Sequence, residues 1–208
     1  MIHAYHLIIS CYGFWLPNDP RGSWSDMIRK WELVRFGPPT EPEQRRSMGE
    51  LTPEELAARE AARLALNYPS VTLTGKQAAA IGQGFSEKAA RSNYTIWACA
   101  ILPEHTHMVI ARHRYRVEQI ANLLKGAATT QLLKERCHPL AQFATGRPRP
   151  PRMWSEHEWK VYLDSEDAIE NAIAYVEQNP VKEEKPKQSW KFVEPFTGLP
   201  RGGFTTYL

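Results

Sequence analysis

Cysteine is scarce in this sequence: Cys11, Cys99 and Cys137 are odd in number and far apart. They offer neither a disulfide framework nor a thiolate cluster for zinc, and fit thiols kept reduced. No run of about eighteen apolar residues occurs, which excludes a spanning helix. The opening MIHAYHLIISCYG lacks the basic region, long apolar stretch and small-residue cleavage site of a secretion signal, so a strand is expected there. Net charge is small as well, with 26 Lys and Arg against 23 Asp and Glu. What the chain does have is 208 residues, 42% of them apolar and 24% charged. That is enough to bury the core of one domain, with room for an insertion.

The charge is unevenly spread. Residues 112–152 hold nine basic groups (Arg112, Arg114, Arg116, Lys125, Lys134, Arg136, Arg147, Arg149, Arg152) against Glu118 and Glu135. Residues 153–208 hold six basic and ten acidic groups. A basic block beside an acidic segment fits a polyanion such as nucleic acid, or equally a solvated helix face followed by a basic loop.

Residues 4–12 (AYHLIISCY) predict a strand ending at Gly13. Turn residues crowd NDPRGSWSD and GPPTEP, so 17–69 is expected to be a partly helical insertion. Inside it, Thr52, Pro53 and Glu55 form a helix start with a capping box. Thr74 and Gln77 make a second box, opening a helix to about Ser92 with Ile81, Phe85 and Ala89 on one face. YTIWACAIL (94–102), a Pro-Glu turn and HTHMVIAR (105–112) predict a hairpin. A long helix over 116–136 follows, with Val117, Ile120, Leu124, Ala128 and Leu132 on one side and Gly126 as its weak point. AQFATGRPRPPR is a loop, since three prolines cannot lie inside a helix. WKVYLD (159–164) predicts the last strand. Ser165 caps a final helix with Glu166 and Asp167 in its first turn and Ile169, Ala172, Ile173 and Val176 on one stripe, ended by Pro180. Residues 1–182 are expected to form one domain, and 183–208 a polar, Pro-rich tail over the surface. Without the insertion the order is β-α-β-β-α-β plus one helix, an α+β fold of ferredoxin-like pattern.

Two local patterns carry chemistry. His105 and His107 lie two apart on a predicted strand and project to one side, while Thr106 and Met108 face the other. Two imidazoles can serve one metal ion at an open site with one more ligand, though they are too few for a structural zinc. The simpler reading of so short a pattern is two partly buried, hydrogen-bonded histidines. On the last helix, Tyr175 falls at the margin of the apolar stripe, with Asn179 one turn further on the same face. A tyrosine snorkelling at a core edge, with Asn179 capping before Pro180, is the simpler reading. Taken together, the patterns are coherent. With a pKa near 10, about one phenol in a thousand is ionised at pH 7, a deficit of about 4 kcal/mol. A divalent cation held by two imidazoles and an amide oxygen would polarise a phosphate under attack. Nitrogen and oxygen donors of this kind suit Mn²⁺ or Mg²⁺. The basic block would hold phosphates, and Trp154, Trp159 or Tyr115 could stack on unpaired bases, if they are not core. Tyr162 and Tyr115 rank below Tyr175 as nucleophiles because neither has a polar partner one helical turn away.

With LPEHTHMVI, a long helix, a W-x-x-H-like strand region and AIAYVEQNPVK in that order, the chain resembles the HUH single-tyrosine transposases, most of all the bacterial REP-associated tyrosine transposases. The opening AYHLIISCYGFWLPNDPRGSWSD resembles a subgroup of that family. The resemblance implies a cytoplasmic, nucleoid-associated enzyme that cuts single-stranded DNA near imperfect hairpins. It also implies Mg²⁺ or Mn²⁺ on His105 and His107, Asn179 as third ligand, and Tyr175 as the nucleophile that forms a 5′-phosphotyrosine link. Arg112, Arg114, Arg116, Lys125, Arg147, Arg149, Arg152 and Trp154 are the expected DNA contacts. Joining two ends needs two nucleophiles, so a homodimer is expected. The sequence departs from the family at Thr106, usually bulky and apolar, and at Glu104, often asparagine. Threonine suits a strand, so the first change is mild; Glu104 is expected to stay in its turn. Competing readings are a domesticated, non-catalytic hairpin binder, a replication-initiator or relaxase-type nickase, and a plain metal-dependent phosphodiesterase.

Overall fold

The computed structural model describes residues 1–16 and 50–199. Residues 17–49 of the expected insertion and 200–208 of the expected tail lie outside the described residues. In chain order the elements are β1 (Ala4–Ser10), α1 (Pro53–Leu64), α2 (Gly75–Ser92), β2 (Ile96–Ile101) and β3 (His105–Ala111), then α3 (Val117–Lys134), β4 (Trp159–Leu163) and α4 (Glu166–Lys182). The four strands form one sheet in the order β2-β3-β1-β4, every pair antiparallel. This is the ferredoxin-like arrangement: the β2–β3 hairpin closes at one edge, and β1 lies between β3 and β4.

Strand alternation divides the sheet into two faces. Leu7, Ile9, Met108 and Ile110 point to one side and share a core with Ile81 and Phe85 of α2 and Ile120, Leu124 and Leu132 of α3. The two helices cross closely at Gly84, where a Cβ would come within 2.8 Å of the Ala127 carbonyl oxygen. Ala4, Val109 and Leu163 point to the other side and meet Ile169 and Val176 of α4. α4 therefore covers the face opposite α2 and α3, and does so alone among the described helices. No described helix is long and apolar enough to cross a membrane.

The helix starts follow the sequence closely. Both capping boxes are closed, Thr52 with Glu55 and Thr74 with Gln77. The Ser165 hydroxyl accepts from the Ala168 amide at the start of α4. Gly126 causes no break in α3. Two expectations need correction. Pro180 does not end α4, which runs to Lys182. A proline costs most where it removes a mid-helix hydrogen bond; here it stands in the last turn, which Glu183 closes by donating to the Asn179 and Pro180 carbonyls.

The segment after α4 is also more than a polar tail. Gln188 pairs its side-chain amide with both backbone groups of Ile101, donating and accepting at 2.8 Å. Five residues on, Val193 bridges to Ile96, and the Glu194 amide donates to the Ile96 carbonyl at 2.8 Å. The exposed donors and acceptors of edge strand β2 are thereby covered. Trp190 lies so close over Gly82 that any Cβ there would overlap its ring. Phe196 packs on Trp97 on the α4 side, and the Leu199 amide returns to the Glu166 carboxylate at the start of α4. Residues 183–199 thus form a strap that leaves one end of α4, crosses the β2 edge and fastens at the other end.

Candidate active site

The site lies between the start of β3 and the last turns of α4. His105 and His107 project to the same face as Val109, towards α4, whereas Met108 belongs to the opposite core. Both are buried, at 9% and 4% exposure. Their ring centroids are 4.7 Å apart, and Phe14 stacks on His105 at 4.8 Å.

Ile8 of β1 pairs with His107, and Ser10 with His105. Two residues before Ile8, on the same face, stands a third imidazole that the sequence reading missed. His6 Nε2 lies 2.9 Å from His107 Nδ1, and the ring centroids are 5.1 Å apart. A signal was present: a ferredoxin-like order puts β1 beside β3, and AYHLII places His6 opposite Leu7 and Ile9.

Tyr175 presents its ring edge-on to two of these imidazoles, 5.6 Å from His6 and 5.5 Å from His107 by centroids. It is 45% exposed, so the phenol borders solvent while its ring rests on the histidines. The Lys182 ammonium lies 5.1 Å from the centre of the same ring. Eight residues beyond Tyr175, Glu183 Oε1 is 3.8 Å from His105 Nε2. Tyr175 and Glu183 thus bracket the histidine pair, and Asn179 lies midway between them on the same helical stripe. Asn179 is buried, and its Nδ2 has no hydrogen-bond partner among the described residues.

Burial controls the protonation of the cluster. Desolvation pushes His6 down from 6.5 to about 4. Desolvation first, then the neighbouring His105 and His6, pushes His107 down to about 2. Both are neutral at pH 7, the form in which imidazole binds metal. Among the described residues no cluster of three His, Cys, Asp or Glu side chains is arranged to hold a metal ion. The donors at hand are the two imidazoles of β3 and the buried Asn179 amide, which presents its oxygen when turned over. Nitrogen and amide donors with open positions left for water or phosphate fit Mn²⁺ or Mg²⁺.

The basic block does not stay together. Arg112, Arg114 and Arg116 are exposed at the far end of β3, with Arg112 about 17 Å along the strand from His107 at 3.3 Å per residue. Arg116 pairs with Glu118 at 3.6 Å. Arg147, Arg149 and Arg152 are exposed on the loop before Met153–Ser155, and that stretch bonds Ser10 and Tyr12, at the end of β1 beside His105. Arg147 donates to the Tyr68 hydroxyl.

Two expected DNA contacts are turned inward. Lys125 is 7% exposed, pairs with Glu158 at 3.2 Å and donates to the Ser155 and Glu156 carbonyls. Trp154 is also buried, and its indole N–H donates to the Lys125 carbonyl and the Thr129 hydroxyl. Both hold the 155–158 loop against α3 and have no face left for a base or phosphate. His113 sits edge-on between Tyr94 and Tyr115. Tyr162 packs on Tyr5, and Tyr115 joins the core on the α2 and α3 side, so neither shares a face with the histidine pair.

No protein-family model matches the chain, and no curated protein matches it. Several solved structures do. A REP-associated tyrosine transposase bound to a REP hairpin is 11% identical, over 87% of this chain and 68% of that one, with a TM-score of 0.44. A protein of Deinococcus radiodurans R1 described as a transposase is 10% identical, over 88% of this chain and 90% of that one, with a TM-score of 0.40.

Proposed function

We propose that the chain is a metal-dependent, tyrosine-type DNA strand transferase acting on single-stranded or hairpin DNA. The observation that carries this reading is Tyr175, an accessible phenol resting on two neutral imidazoles of its own chain. A tyrosine serving only as core filler would bury its ring among apolar groups. Here the ring lies against His6 and His107, one turn from a buried amide.

His105, His107 and Asn179 would hold Mn²⁺ or Mg²⁺. A cation held there would supply Lewis-acid polarisation of the scissile phosphate. Tyr175 Oη then forms the new bond to phosphorus as the P–O3′ bond breaks. The phenolic proton passes to solvent water, the departing 3′ oxygen takes up a proton from solvent, and the 5′ end remains on the tyrosine. The reverse attack by a 3′-hydroxyl rejoins the strand. Lys182, close to the phenol ring, favours negative charge developing at the tyrosine or phosphate. Arg147, Arg149 and Arg152 would bind the backbone nearest the site, while Arg112, Arg114 and Arg116 would reach DNA farther along the sheet. Two DNA ends require two tyrosines, which a homodimer would provide.

The test is a denaturing gel of the protein incubated with hairpin oligonucleotides bearing single-stranded flanks, with and without Mn²⁺. A cation-dependent covalent adduct that disappears in Tyr175→Phe is expected. Tight hairpin binding without an adduct at any cation concentration would establish the non-catalytic binder instead. Cleavage without attached protein would point to a phosphodiesterase.

A further inference from the structure

We infer that His6 is a positioning residue: it accepts a hydrogen bond from His107 and so fixes which ring nitrogen of His107 faces the cation. The inference rests on the reading of His107 as a ligand. His6 Nε2 and His107 Nδ1 stand 2.9 Å apart, hydrogen-bond distance, and between two neutral rings only one of the two can donate. If His107 donates, its Nδ1 carries the hydrogen and its Nε2 keeps a lone pair. If His6 donates, His107 Nε2 is protonated and has no lone pair to give. Only the first arrangement makes a ligand, and it requires an acceptor at the place His6 occupies.

The sheet holds that acceptor firmly. His6 comes from the central strand β1, hydrogen-bonded on both sides by β3 and β4. Its ring also meets Tyr175 at 5.6 Å, so one side chain touches both a candidate ligand and the candidate nucleophile. A ligating imidazole whose other nitrogen is anchored in this way keeps both its tautomer and its ring orientation, and losing such an anchor typically weakens metal affinity 10–100-fold.

The experiment uses the purified chain and two variants, His6→Phe, which keeps an aromatic ring but no acceptor, and His6→Gln, which restores one. Long-range ¹H–¹⁵N spectra of the metal-free protein report the tautomer directly. Expected is an Nδ1–H tautomer for His107 in the wild type and in His6→Gln, and its loss in His6→Phe. Mn²⁺ titrations should show binding weakened 10–100-fold in His6→Phe and largely recovered in His6→Gln. An Nε2–H His107 in the wild type, or unchanged Mn²⁺ affinity in His6→Phe, would overturn the inference. Should His6→Phe fail to fold, the wild-type tautomer and the His6→Gln affinity still decide it. His107→Ala separates this failure from that of the parent reading: if it too leaves Mn²⁺ binding unchanged, His107 is no ligand at all.

Discussion

Acidification should destabilise this fold well above the pH at which carboxylates titrate, because buried His107 and half-buried His6 must stay neutral. The ordinary histidine value is 6.5, lowered in the folded chain to about 4 at His6 and about 2 at His107. Below pH 6.5 the unfolded chain takes up protons that the folded chain refuses, so stability falls as pH falls. The His6 contribution levels off below about pH 4, where the folded ring also protonates. Between pH 7 and pH 5 each imidazole contributes a loss of about 2 kcal/mol, and the pair about 4 kcal/mol, at 1.36 kcal/mol per pH unit. His138, also lowered by burial, acts in the same direction. Urea unfolding followed by tryptophan fluorescence at pH 7, 6 and 5, with chelator present, measures the slope. His6→Gln should remove about half of the pair's share, or about 2 kcal/mol of pH dependence. A wild-type stability that is flat from pH 7 to 5, or a His6→Gln slope equal to wild type, would refute the reasoning.

Three other perturbations test the packing and the basic loop. Lys125→Ala leaves the Glu158 carboxylate unpaired and should cost about 3–5 kcal/mol in unfolding free energy, the usual result of breaking a buried pair. Arg149→Ala, on an exposed loop, should leave stability within about 0.5 kcal/mol while lowering oligonucleotide affinity and its salt slope. Gly82→Ala inserts a methyl group where the Trp190 ring lies and should free the strap, read as earlier proteolysis after Lys182 and a red shift in tryptophan emission.

Much of this architecture was legible because it is local. Capping boxes at Thr52 and Thr74, the Ser165 cap and period-two alternation around His105 and His107 all depend on residues within a few positions of one another. From them come the element order and the face shared by the histidine pair. His6 was overlooked because its partner is about a hundred residues away, and only the pairing of β1 with β3 joins them. The charge of Lys125 points to DNA, yet the residue lies four positions after Ala121 and three before Ala128, on the buried stripe of α3. Charge counts carry no direction, whereas helical spacing does. The strap escaped notice because Trp190, Phe192 and Phe196 follow neither a helical nor a strand period, and Gln188 docks through its side chain.

The strap also limits how the tyrosine can be shared. Having left α4 at Lys182, the polypeptide is stitched along β2 and tied back to Glu166, so the helix is anchored at both ends like a rung. Lending that rung to a neighbouring copy would mean unpicking the β2 seam and pulling Trp190 off Gly82. Under the proposed function, each copy would therefore keep its own phenol over its own histidines, and traffic between two DNA ends would have to come from moving the strands rather than the helices.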